Sequence, residues 1–113
     1  MKLINCSNGK VISSHVVMAD RFITRLTGLM GKKEMPSGSA LILKPCSQAH
    51  TFFMRFNIDI LFLSLDFRVK HVVQNMRPWR ISRLVWGARC VVELPGGTLR
   101  NRVLPGDTLK LEE

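Results

Sequence analysis

The chain has 113 residues, 46% hydrophobic and 22% charged: enough apolar side chain for one self-sufficient core, and too short for two domains. Seventeen Lys and Arg against eight Asp and Glu give a formal charge of +9. This balance excludes an acidic surface and a disordered acidic tail, and it favours anionic partners.

No apolar stretch reaches the roughly eighteen residues of a spanning helix, and MKLINCSNGKVISS lacks the apolar block of a signal peptide. A cytoplasmic, monomeric single domain over residues 1–113 is expected. Cys6, Cys46 and Cys90 are odd in number, widely spaced and form no C-x-x-C pair, so they read as reduced thiols. No metal and no cofactor is expected.

In chain order, LINCSNGKVISSHVVMA reads as a hairpin around a type I′ turn at Asn8-Gly9, with Ile12, Val16 and Met18 on one face and His15 on the other. The period then changes. In DRFITRLTGLMG, Phe22, Leu26 and Leu29 fall at i, i+4 and i+7, which predicts a short amphipathic helix from an Asp20 N-cap to Gly31. From Ala40 the texture is β: ALIL, TFFMRF, IDILFLSL and VKHVVQNM, joined by links too short for parallel crossovers. RPWRISRLVWGA reads as a loop with a helical turn, RCVVEL as a strand, TLRNRVL as one helical turn, and TLKL as the last strand after the turn at Pro105-Gly106-Asp107. The expected fold is α+β, predominantly β: about seven short strands in a small, closed or half-closed antiparallel β-barrel-like domain with one packed amphipathic helix.

Four motifs in order, RLTGLMG, HTFFMRFNIDILFL, ELPGGT and PGD, resemble the bacterial and archaeal family known as domain of unknown function 192. The resemblance spans nearly the whole chain. It implies a β-rich α+β fold and no established activity, substrate or cofactor. The positions that match its pattern are Arg25, Gly28, Leu29 and Met30, then Phe53, Met54, Ile58, Asp59 and Phe62, then Glu93, Gly97, Gly106 and Asp107. One departure stands out: where the family pattern reads Phe-Pro-Ile-Asp, this chain has Phe56-Asn57-Ile58-Asp59, so asparagine must make the bend that proline would fix.

Strict alternation in TFFMRF puts Phe52, Met54 and Phe56 in the core and Thr51, Phe53 and Arg55 on the other face. Arg55, Asp59 and Glu93 are charges in apolar sequence, and with Arg25, His50 and Phe53 they form the expected site for a small ligand or protein partner. The same three charges would equally make a structural network. A second reading assigns single-stranded nucleic acid to Arg77, Trp79, Arg80, Arg83, Trp86 and Arg89, because arginines hold phosphates while aromatic rings stack on bases. An anionic membrane surface or an acidic protein would suit the same charges. A hydrolytic enzyme is a further alternative, but Cys46 and His50 have no third group to orient them and Cys46-x-x-x-His50 is only half a zinc site. The favoured reading is a non-enzymatic binding module.

Overall fold

The computed structural model of the chain describes residues 1–19 and 34–113. Every regular element among them is a strand: β1 (Lys2–Asn5), β2 (Lys10–Ser13), β3 (His15–Ala19), β4 (Ser39–Leu43), β5 (Ile58–Leu63), β6 (Val69–Met76), β7 (Cys90–Pro95) and β8 (Leu109–Glu112). They form two open sheets, one in the order β2-β1-β8 and one in the order β3-β4-β7-β5-β6.

The apolar runs IDILFL and CVVEL explain the centre of the larger sheet. A strand apolar at nearly every position can be buried on both faces, and β5 and β7 pair antiparallel in the middle with every residue of β5 buried. One face carries Ala40, Ile42, Leu61, Leu63, Val92 and Leu94 against Leu3, Ile12 and Leu109 of the smaller sheet. The opposite face carries Leu41, Leu43, Ile58, Ile60, Phe62 and Val91, and is covered by the loops that bring in Ala49, Met54, Val85 and Ala88. Long irregular segments are thus fixed as a lid over half of the core.

Several expectations need correction. The barrel does not form: the described strands make two separate sheets with free edges, and no helix lies among the described residues. The helix predicted over 20–30, with Arg25, lies outside the described residues. The pairing is not wholly antiparallel either, because β3 and β4 are parallel, His15 opposite Ser39 through Ala19 opposite Leu43. The long connection over 20–38 makes that crossover possible, whereas the short link between β5 and β6 does give an antiparallel pair, and β7 pairs antiparallel with β4 and β5 across longer connections.

The first hairpin is real but shorter than read. Asn5 pairs with Lys10 across a loop in which Gly9 alone has positive φ, so the turn is not type I′. At Ser14 the chain leaves this sheet, and Ser14 and His15 both donate their amides to the Gly38 carbonyl (3.1 Å each). Ile12, Val16 and Met18 nonetheless pack on the core between the sheets, and His15 is exposed, as alternation predicts. Arg100 and Asn101 have positive φ, so TLRNRVL makes a turn and not a right-handed helical one.

TFFMRF is no strand. Residues 51–56 form a turn in which Thr51 and Met54 are buried, Phe56 is half-buried, and Phe52, Phe53 and Arg55 are exposed. The segment 77–89 is an irregular loop, as read, but its one hydrogen-bonded turn, Val85–Ala88, takes positive φ at Gly87 and is not the right-handed helical turn predicted. It runs beside residues 47–51, with Thr51 N–H donating to the Arg80 carbonyl (2.8 Å), Ser82 N–H to Ala49 (2.8 Å) and Val85 N–H to Ser47 (3.0 Å).

Candidate functional site

Asp59 and Glu93 sit on neighbouring strands, yet the register places them on opposite faces. Asp59 pairs with Leu94 and Ile60 with Glu93, so successive side chains alternate Asp59 toward the inter-sheet core and Glu93 toward the loop-covered face. Asp59 is fully buried and consumed by backbone donors. Its Oδ1 accepts the amides of Asn75 (2.8 Å) and Gly97 (3.2 Å), and its Oδ2 that of Leu99 (2.8 Å). These bonds tie the end of β6 to the turn after β7. Gly96 in that turn donates to the carbonyl of Asn57 (3.1 Å), and a Cβ there would sit 2.9 Å from Asn75 Oδ1 and 3.0 Å from the same carbonyl oxygen, so any larger residue would force these neighbours to shift.

Glu93 is 4% exposed and flanked across the ladder by Leu41 and Ile60. Removal from water disfavours its ionised form and pushes its pKa up to about 7. Arg55 lies out on the exposed turn, and among the described residues the ion pair found is Lys110–Glu112, which leaves Arg55, Asp59 and Glu93 unconnected by salt bridges.

What the fold does bring together is His50, Phe52, Phe53 and Trp79. His50 is half-buried; its Nδ1 accepts the amide of Phe52 (3.2 Å) and its ring stacks on Phe52 with centroids 5.1 Å apart. Phe53 meets Trp79 at 4.7 Å, and Phe52 meets it at 6.2 Å. Thr51, which strict alternation sets beside Phe53 and Arg55 away from the core, is instead buried and clamps the two segments. Its hydroxyl donates to the Arg77 carbonyl (2.6 Å) and accepts the Arg80 amide (2.9 Å), while its own carbonyl accepts the amide of Trp79 (2.9 Å). A lone threonine at the edge of an apolar run is the only signal the sequence offers for this role.

Phe53 and Trp79 both have positive φ, 64° and 63°. The left-handed region costs an L-residue with a Cβ roughly 1–2 kcal/mol. Phe67 shares that geometry (63°) but offsets it by packing on the core. Phe53 and Trp79 do not, being 59% and 56% exposed. Around them the chain sets Ile81, 60% exposed and bridged to His50, and the exposed arginines 55, 77 and 80. The result is a protruding aromatic surface in a positive field.

Arg83, Trp86 and Arg89 lie further along the same segment. Burial and then the nearby Arg83 charge hold the pKa of His71, on β6, below its usual value. Arg89 borders open depressions lined by Pro45, Cys46, Ser47, Gln48 and Leu84 on one side and by Ser64, Asp66 and Lys70 on another. Cys6 is exposed, Cys46 half-buried and Cys90 buried, and no group of three or more potential metal ligands occurs among the described residues. No helix there is long and apolar enough to cross a membrane.

The described residues thus form two β-sheets, with exposed aromatic and basic side chains gathered on the loops that cover one of them. The chain belongs to the DUF192 family: the model described as "Uncharacterized ACR, COG1430" matches residues 3–111. It is 36% identical to a UPF0127 protein of the archaeon Pyrococcus horikoshii, over 96% of this chain and 96% of that one. The crystal structure of a protein of unknown function from Novosphingobium aromaticivorans superposes with a TM-score of 0.79 at 22% identity, covering 97% of this chain and 82% of that one. A structure from Sinorhizobium meliloti described as a candidate transcription regulator superposes at 0.76 with 26% identity, over 96% of this chain and 89% of that one.

Proposed function

We propose that the protein is a non-enzymatic binding module whose contact surface is the aromatic and arginine cluster of residues 50–55 and 77–81, and that its partner is anionic. The observation that carries this reading is the pair Phe53 and Trp79. Both hold strained backbone, both rings stay in solvent, and the Thr51 clamp fixes them in place. Strain that no burial offsets is retained where a contact needs the geometry. Trp, Phe and Arg are also the residues that concentrate binding energy at interfaces.

Of the residues expected to bind a ligand, His50, Phe53 and Arg55 lie on this surface, and Trp79, Arg77 and Arg80 join them from the segment read as a nucleic-acid contact. Asp59 is occupied by three backbone amides and Glu93 lies on the loop-covered face, so the proposal centres on the loops and not on these carboxyls. The description of the Sinorhizobium structure is compatible with an anionic partner; the surface chemistry is the stronger support.

The test separates contact from structure. Phe53→Gly and Trp79→Gly relieve the left-handed strain, so thermal stability should hold or rise while affinity for anionic probes, a labelled oligothymidylate and poly-L-glutamate, falls. A large drop in melting temperature would instead assign the two rings to the fold and overturn the proposal.

A further inference from the structure

A second surface lies around the turn Val85–Ala88, beside shallow open depressions. Ala88 N–H donates to the Val85 carbonyl (3.2 Å), Gly87 takes the positive φ of 79° that the turn requires, and Trp86 stands at its tip, 91% exposed. Unlike Trp79, Trp86 has no aromatic neighbour among the described residues, so its ring faces are open. Arg89 follows at once. Its backbone is pinned on both sides, its amide donating to Leu63 (2.7 Å) and its carbonyl accepting the amide of Cys46 (2.9 Å).

Three depressions of about 520, 530 and 310 Å³ all meet at Arg89, and the smallest runs along Trp86 and Gly87. All three are wide open to solvent, so they would seat one planar ring and its phosphate against the surface without enclosing it. The one lined by Pro45, Cys46, Ser47, Gln48 and Leu84 contains no acid. In the neighbouring one Asp66 would repel an anion, but Lys70 also lines it, and the Lys70 chain passes within 3.3 Å of the position a Gly87 Cβ would take.

We infer that this groove takes a base–phosphate unit, the base laid on the open Trp86 ring and the phosphate held by Arg89 on the Pro45–Gln48 side. The inference rests on the anionic-partner reading above but uses a separate surface. An open π face and an exposed guanidinium lining the same depression are what stacking plus phosphate contact requires. The depressions at Arg89 are sized for one ring and its phosphate, which favours this unit over an extended acidic peptide. Free nucleotides and single-stranded nucleic acid share this chemistry.

The experiment is fluorescence anisotropy of a short labelled oligothymidylate on the full chain, with Trp86→Ala, Trp86→Phe and Arg89→Gln. Trp86→Ala should weaken binding about fivefold to a hundredfold at fixed salt, with Trp86→Phe restoring most of it. Arg89→Gln should flatten the log–log salt dependence by about 0.7, the loss of one phosphate contact. Displacement by thymidine monophosphate at low concentration would name a free nucleotide as the ligand; displacement only by a second strand would name nucleic acid. Wild-type affinity in Trp86→Ala and Arg89→Gln, or equal displacement by poly-L-glutamate, would overturn the inference. Loss confined to the Phe53 and Trp79 variants would also sink it and leave the proposed function standing, while loss confined to the Trp86 and Arg89 variants would do the reverse.

Discussion

Glu93 makes this protein's stability depend on pH in a direction opposite to that of most carboxylates. An unfolded glutamate titrates near 4.5, whereas burial among Leu41, Ile60 and their neighbours holds the folded Glu93 near 7. Between those values the native state binds a proton that the unfolded chain has released, so stability must fall as pH rises through this window and level off above about 7. At 1.36 kcal/mol per pH unit the loss comes to roughly 3 kcal/mol, a large fraction of what holds a domain of this size together. Glu93→Gln keeps the shape and removes the titration. Urea denaturation of both proteins across this range should show similar stability near the acidic end. On the alkaline side the variant should be the more stable by about 3 kcal/mol. Taking the difference between the two cancels every other titrating group. A difference that stays constant with pH would refute the reasoning, because it would mean that the folded carboxyl ionises as it does in water.

Other positions can be read in the same way. Asp59→Asn presents an amide N–H to at least one of the three backbone donors that the carboxylate now satisfies, and should destabilise by roughly 2–4 kcal/mol in equilibrium unfolding. A loss below about 1 kcal/mol would show that those amides find other acceptors. Thr51→Val removes the hydroxyl that holds Arg77 and Arg80, and should cost roughly 2–3 kcal/mol. It should also speed amide exchange at Arg80; unchanged exchange there would show that the clamp is not what fixes the segment.

Much of the sheet structure is legible in the sequence because β5 and β7 are buried on both faces and therefore carry nearly uninterrupted apolar runs. The edges are harder to read. β3 looks like the continuation of a hairpin strand, and only the hydrogen bonds of Ser14 and His15 to the distant Gly38 carbonyl reveal that the chain changes sheets there. Such a switch is set by a partner 23 or more residues away along the chain, and no local pattern encodes it. Strand number and spacing suggest a barrel, but they constrain how many strands pair and not whether the last meets the first.

The site shows why alternation is a poor guide once a segment leaves the ladder. In TFFMRF the period-two rule assigns Phe52 to the core and sets Phe53 opposite it, but one positive φ at Phe53 breaks the register and leaves both rings outside. The signal was in the composition instead: aromatic residues that a strand would bury appear in two segments, each beside arginines and each anchored through Thr51. Asp59 and Glu93 illustrate the converse error. Both are charges in apolar sequence, a property that burial alone produces, whereas convergence depends on strand register, and the pairing of Ile60 with Glu93 puts the two carboxyls on opposite sides of the sheet. A buried acid is therefore informative about a site only after its face is known. Here one face makes Asp59 a brace for the turn after β7, and the other makes Glu93 a titrating group inside the loop-covered core.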